Sequence, residues 1–402
     1  MSRRRGKGSI TPYKLKSGTT RWRYQIRVPV DPDRPELGTR PHGKGGYSTS
    51  TAADDGLQEA LTKLKNNERF GRKTPLLSDY ANNWVAGLKL ADSTLKGYRK
   101  VIRNHINRQL GDIPLDKLTA TRIARHYREL EDHGRADKYG KGQPLSPNTV
   151  SKAHVILSSI LDAAIEDGHI VANPAKRKKT VKPPTTKEIR AAKPEIVVWS
   201  QDQLDTFLRW DRDVREDELF PLWRLIAWTG MRRSEALALR WSDINTRTRQ
   251  LSIRRSTNTV DWTKTKGTKT DRARRIDIDD ETLKILAAYK KTRAEISFEF
   301  ATTEACVFGD DDGQMRSPDA MTSRWARRMD WITAKHPEVH RVTIKGLRHT
   351  HATLLLEMGI HPKVVQERLG HVKISITMDT YSHVTPTMQR SAIDLLARGS
   401  QG

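Results

Sequence analysis

Arg348, His371 and Tyr381 fall within one stretch, Ile344 to His383, which reads I-K-G-L-R-H-T-H-A-T-L-L-L-E-M-G-I-H-P-K-V-V-Q-E-R-L-G-H-V-K-I-S-I-T-M-D-T-Y-S-H. Arginine, histidine and tyrosine gathered at helix ends point to a site that holds a phosphate and attacks it. Three residues do not carry that reading alone. A second arginine box, Thr229-Gly230-Met231-Arg232-Arg233-Ser234-Glu235, stands well upstream and supplies Arg232. Phosphodiester exchange builds negative charge on the nonbridging oxygens, and two guanidinium forks meet it better than two point charges. Tyrosine is a residue type that can attack phosphorus and form a covalent ester. No acidic cluster with metal-ligand character is needed, and neither a metal nor a cofactor is expected.

The elements that must position these groups are legible around them. The pattern predicts a helix from about Thr343 to Met358, with Leu347, Leu354, Leu355 and Met358 as its apolar face and Gly359 as its stop. His361 caps a second, short helix that has Pro362 at its first position and Gly370 at its close. Arg348 then lies at the start of the first helix, and His371 just past the end of the second. Upstream, Ser200 and Gln203 form a capping box. A buried helix from Phe220 to Trp228 is broken at Gly230, which leaves Arg232 at the N-terminal end of the next. There the dipole and the free N–H groups favour an anion. Strands are expected at Leu251–Arg254 and Ala273–Ile278, with Lys264, Lys266 and Lys269 in their connection. Taken singly, each residue has a plainer role: Tyr381 as packing, Arg232 as a surface ion-pair partner of Glu235, His371 as a helix stop.

The chain has 402 residues and a net charge of +25, so two or three domains and a polyanionic partner are expected. A single cysteine, Cys306, excludes a disulfide framework and a thiolate zinc site. No apolar run reaches membrane-spanning length and the Arg-rich start lacks a signal-peptide core, so a soluble, cytoplasmic protein with no membrane partner is expected.

From Arg21 the residues alternate, with Trp22, Tyr24, Ile26 and Val28 facing one way and Arg21, Arg23, Gln25 and Arg27 the other. That is a half-buried strand with a cationic face. Ser17-Gly18 is a hairpin turn from a strand near residues 10–16, Tyr47 to Thr51 a third strand, and Leu57, Ala60, Leu61 and Leu64 mark a helix. Residues 74–174 read as all helical. Their stripes are Leu77, Tyr80, Ala81, Trp84, Val85 and Leu88; Leu95, Tyr98, Ile102 and Ile106; and, after Ser146-Pro147, Val150, Leu157, Leu161 and Ile165. A further helix is expected around Thr121–Leu130. Lys96, Arg99, Lys100 and Arg103 between the stripes are placed to grip a phosphate backbone, or to form a solvated face. Residues 175–196 hold eight basic residues and three prolines, which predicts a linker too charged to pack on a core. Its Lys176, Arg177, Lys178 and Lys179 suit a segment lying along DNA. The fold class expected is mainly α with small β-sheets.

Five boxes, T-G-M-R-R-S-E, K-T-D-R-A-R-R-I-D-I, K-G-L-R-H-T-H, L-G-H and T-Y-S-H, occur in the order and spacing of the phage-integrase group of tyrosine recombinases, and the chain resembles that family over most of its length. The resemblance implies an arm-binding domain (1–72), a helical core-binding domain (73–175), a basic linker (176–196), a catalytic domain (197–386) and a tail (387–402). It implies Tyr381 as nucleophile, Arg232 and Arg348 as the phosphate clamp, His371 completing it, and Lys269 as general acid to the leaving 5′-oxygen. Lys264 and Lys266 compete for that last role; Arg274 and the strand I-D-I follow Lys269 at the family's distance. Lys345 stands where the family usually has histidine. The expected partners are double-stranded DNA at core-type and arm-type sites, three further copies in a tetramer, and an excision or host DNA-bending factor. Two rivals are a helix-turn-helix regulator built on Glu357 to Arg368, which leaves Arg232, the hairpin lysines and Tyr381 unexplained, and a type IB topoisomerase, which needs no distant arm sites.

Overall fold

Alternation of buried and exposed residues along Thr20–Pro29 produces the strand it predicts: in the computed structural model Tyr24, Ile26 and Val28 are buried while Arg23, Gln25 and Arg27 face out. The structure describes residues 8–30, 38–65, 74–137, 140–258, 260–267 and 273–381, with isolated positions at 393 and 397. It divides into two units, Met1–Lys193 and Pro194–Gly402.

In the first unit, β1 (Ser9–Lys14), β2 (Thr20–Pro29) and β3 (Thr39–Tyr47) form an antiparallel sheet in that order. Helix α1 (Ser50–Lys65) lays Leu57 and Ala60 on the face that carries Tyr24, Ile26 and Val28. The third strand is earlier than expected: it ends at Tyr47, and the helix begins at Ser50. Glycines conceal it in the sequence, for a physical reason. A Cβ at Gly43 would lie 2.4 Å from the carbonyl oxygen of Tyr24, so this pairing requires a bare backbone.

Helices α2 (Leu77–Gly87), α3 (Asp92–Val101), α4 (Asn107–Leu110), α5 (Ala120–His133) and α6 (Pro147–Glu166) share one core, in which Leu77, Ile102, Ile106, Ile123, Leu157 and Leu161 are among the fully buried residues. The basic segment that follows is not the free linker expected. Ala175 and Val181 pack into that core, Lys176 pairs with Asp162 at 2.8 Å, and α7 (Thr186–Ala191) opens with a capping box between Thr185 and Glu188. Two small apolar residues spaced among the charges suffice to dock it, and the cations point outward.

The second unit is built around Trp199, Phe207, Trp223 and Trp325, whose rings meet at centroid distances such as 5.1 Å for Trp223–Trp325. Its elements are α8 (Gln201–Arg209), α9 (Phe220–Thr229), α10 (Arg233–Leu237), β4 (Ile244–Asn245), β5 (Gln250–Ile253), β6 (Arg255–Thr257), β7 (Thr265–Gly267), β8 (Arg274–Asp277), α11 (Asp280–Ile296), α12 (Pro318–Lys335), α13 (Ile344–Glu357), α14 (Pro362–Leu369) and α15 (Ile374–Tyr381). Strands β4, β5 and β8 pair in that order, and β6 with β7 makes a separate hairpin. The caps of α13 and α14 are those expected, with Thr343 and His361 accepting from backbone N–H groups and Gly370 left-handed. Met358 is the exception on α13: it caps the helix beyond the end of the core and is exposed. Among the described residues no helix is long and apolar enough to cross a membrane.

Candidate active site

Helix α9 ends on Gly230 at φ +62°, a left-handed conformation that costs glycine little. A Cβ there would lie 2.6 Å from a ring carbon of His351 and 2.7 Å from Leu369, so glycine also lets the end of α9 meet α13 and α14. Arg348, on α13, occupies this junction and is 6 % exposed. Its Nη1 donates to the Gly230 carbonyl at 2.8 Å and its Nη2 to the Leu369 carbonyl at 2.7 Å. The burial cost of a guanidinium is offset only by such bonds, and here they fix the fork between two chain turns.

Arg232 is the N-cap of α10. Its backbone N–H and its Nη1 both donate to Glu235, each at 2.8 Å, and its Nη2 reaches toward the Gly370 carbonyl at 3.4 Å. Glu235 is thus its partner, yet no surface one: the carboxylate side chain is 2 % exposed. Burial would raise its pKa; hydrogen bonds and charge from Arg274 and Arg232 outweigh this and bring it to about 2. Arg274 also donates to the Arg368 carbonyl at 2.9 Å, tying β8 to the last turn of α14.

His371 follows that turn directly. Its backbone N–H donates to the Gln366 carbonyl at 3.1 Å, Gln366 Nε2 donates back to the His371 carbonyl at 2.9 Å, and its Nδ1 lies 2.9 Å from the Thr377 hydroxyl. Burial first, then the nearby charges of Arg348, Arg232, His349 and Arg274, lowers its pKa to about 4, so the ring is neutral at pH 7.

Arg348, Arg232 and His371 therefore converge on one turn, Leu369–His371, from three separate stretches of chain. Lys345 is exposed on the first turn of α13. Tyr381 is the last residue of α15; its side chain lies outside what the structure describes, and Lys269 lies outside the described residues altogether. Lys266 is exposed on β7, and Lys264 beside it pairs with Asp261 at 3.0 Å. In the first unit Arg23 and Arg27 are exposed on β2 and Arg21 partly so, Lys96, Arg99 and Lys100 are exposed on α3, and Lys176, Arg177, Lys178 and Lys179 are exposed after α6. Sequence reasoning missed the roles of Glu235 and Arg274 as supports. The Arg-x-x-Glu spacing of a capping box was the available signal for the first; the second depends on a contact between distant segments.

Two family models match the chain: the phage integrase family over residues 200–388, and the phage integrase N-terminal SAM-like domain over residues 76–130. A tyrosine recombinase XerC-like protein of Caldanaerobacter subterraneus subsp. tengcongensis is 23% identical, over 95% of this chain and 97% of its own length. The ICEBs1 integrase of Bacillus subtilis is 25% identical, over 74% of this chain and 75% of its own. Among solved structures, the Tn1549 transposon integrase in complex with transposon right-end DNA aligns with a TM-score of 0.63 at 20% identity, covering 80% of this chain and 99% of that one. A lambda integrase dimer bound to a core site aligns with a TM-score of 0.55 at 18% identity, covering 95% and 96%.

Proposed function

The chain belongs to the phage integrase family of tyrosine recombinases, and from that premise we propose a site-specific DNA integrase that cuts and rejoins duplex DNA to move a mobile element. Arg232 and Arg348 hold the nonbridging oxygens of the scissile phosphate and His371 adds a third donor. The Tyr381 oxygen attacks phosphorus as its proton passes to a phosphate oxygen or to water, the bond to the 5′-oxygen breaks, and Lys269 gives that oxygen its proton. A 3′-phosphotyrosyl ester remains. Attack by a 5′-hydroxyl from the partner strand reverses the step and releases the tyrosine. The charge of the transition state is met by donors fixed beforehand, the arrangement that stabilises developing charge most effectively.

The observation that carries this reading is the convergence of Arg348, Arg232 and His371 on the Leu369–His371 turn, with both arginines held by acceptors of the protein itself. Residues 1–72 serve arm-type DNA through the β2 cations, residues 73–175 serve core-type DNA through Lys96, Arg99 and Lys100, and Lys176 to Lys179 follow the backbone between domains. The catalytic domain spans 197–386. Four copies act on two core sites, with an excision or host DNA-bending factor setting direction, in the cytoplasm of a bacterium at its nucleoid. A lambda integrase tetramer bound to a Holliday junction is among the structures of the same fold.

The deciding experiment is incubation with a nicked suicide duplex carrying the element's core site. A covalent, protease-sensitive adduct is expected from the parent protein and none from Tyr381→Phe, which keeps DNA binding. An adduct from the Phe variant would remove Tyr381 from the role. Cleavage in EDTA is expected to persist, because the charge is met by side chains.

A further inference from the structure

We propose that Thr377 is a positioning residue for the clamp: with phosphate bound, its hydroxyl donates to Nδ1 of His371, keeps the ring proton on Nε2, and joins that ring to the helix that ends at Tyr381. The inference rests on the reading of His371 as a phosphate donor.

Thr377 is 0% exposed, and its Oγ1 lies 2.9 Å from His371 Nδ1. Nε2 is then the ring nitrogen left for a ligand. A neutral imidazole carries one proton, and the partner of one nitrogen decides the state of the other. Phosphate oxygens only accept, so His371 serves the clamp only with Nε2–H, and Nδ1 must accept a hydrogen bond. A hydroxyl can donate that bond; a carbonyl cannot. The same site contains the opposite case. His351 Nδ1 lies 3.0 Å from the Ala227 carbonyl, which fixes the proton on Nδ1 and leaves Nε2 a buried atom with no hydrogen-bond partner. The Ala227 carbonyl fixes the tautomer of His351, whereas the Thr377 hydroxyl, able to donate or accept, lets His371 carry its proton on Nε2 when a phosphate is there to accept it. Thr377 also lies on α15 one turn before Tyr381, and α15 packs on α14, so one hydrogen bond connects the clamp with the nucleophile's helix.

The test is single-turnover cleavage of the nicked core-site duplex by full-length protein, in a cycle of Thr377→Val and His371→Ala. Thr377→Val keeps the branched shape and loses the hydroxyl. It is expected to bind DNA as the parent does and to cleave about tenfold more slowly, the scale of one hydrogen bond. Thr377→Ser is expected to recover most of the rate. In the His371→Ala background Thr377→Val should cost nothing further, because the two act as one unit. An equal loss in both backgrounds would mean that Thr377 only holds the helix, and would overturn the proposal, as would a parental rate for Thr377→Val. A parental rate for His371→Ala would overturn the clamp reading itself, and this inference with it. Should Thr377→Val not fold, Thr377→Cys replaces it, a weak donor of similar size expected to cleave at an intermediate rate.

Discussion

Arg274 closes on Glu235 with both terminal nitrogens, at 3.1 Å and 2.7 Å, and this is the same carboxylate that holds Arg232. One buried anion therefore orients two cations, one of them the Arg232 proposed for the clamp, and leaves the cluster net positive. The geometry is preorganised: Arg232 need not find its position when substrate arrives.

Glu235→Gln is expected to cost roughly 3 kcal/mol of stability, since it leaves buried guanidinium charge uncompensated. Its carboxyl is depressed to about 2, so its contribution is complete above the unfolded value of about 4.3 and is lost as pH falls through 2. Urea denaturation of parent and variant at pH 7 and pH 3 checks this. The gap should be large at pH 7 and smaller at pH 3; equal gaps would place the loss elsewhere.

Replacing Arg232 or Arg348 by Ala should slow single-turnover cleavage by roughly 10²-fold or more, the scale for removing one preorganised donor. Lysine should restore only part, because the two-pronged geometry is lost. The two differ in stability. Arg348→Ala also strands the Gly230 and Leu369 carbonyls, so its melting midpoint should drop further than that of Arg232→Ala, whose side chain is 31 % exposed. Near-parental cleavage by either Ala variant removes that residue from the clamp.

His351 and His371 both titrate well below the usual histidine value, at about 3 and about 4, with burial as the first cause in each. The unfolded chain takes up protons near pH 6.5 that the folded chain refuses. Their contribution is full above pH 6.5 and shrinks as pH falls toward 4. The melting midpoint should decline over that interval, and less steeply in His351→Phe, which keeps a ring but cannot titrate. Parallel slopes for the two proteins would contradict the assignment to His351.

Much of this site is legible in the sequence because its supports are local. His361-Pro362 and Gly370 fix the ends of α14 through their own backbone preferences, and Thr343 and Gly359 do the same for α13. That places Arg348 and His371 before any tertiary contact is known. The link from Arg274 to Glu235 and Arg368 joins segments far apart in sequence, and no periodicity encodes it. Glycine hid β3 because its pattern lacks side chains to read. The docking of Ala175 and Val181 was masked by the cations around them, whose charge dominates composition while two small side chains decide the packing.

In the N-terminal sheet, Arg27 donates to the Thr39 hydroxyl and carbonyl, each at 2.8 Å, and Arg23 to the Thr11 hydroxyl at 3.2 Å. Neighbouring strands thus hold both guanidiniums on the exposed face. Replacing Arg21, Arg23 and Arg27 together by Ala in the full chain should abolish footprints on arm-type DNA while core-site cleavage persists. If each arginine neutralises one phosphate, the slope of log affinity against log salt should become shallower by about 2.7. An unchanged footprint would sink the assignment of this face to DNA.

Lys345 is the place where this chain leaves its family's common pattern, and two roles are open to it. An imidazole there can accept a proton near neutral pH, whereas an ammonium is a donor and a fixed positive charge. The base role for lysine needs burial beside other cations to destabilise the ammonium. Lys345 is exposed on the first turn of α13, so the burial that role requires is not present, and a donor to a nonbridging oxygen is the better reading. Lys345→His should therefore remain active, and Lys345→Met should lose rate with little loss of binding. The single-turnover pH–rate profiles of the three proteins separate the roles. The donor reading expects no ionisation between about pH 6 and 9 that is present with Lys and absent with Met. Such an ionisation would make Lys345 the base that takes the tyrosine proton.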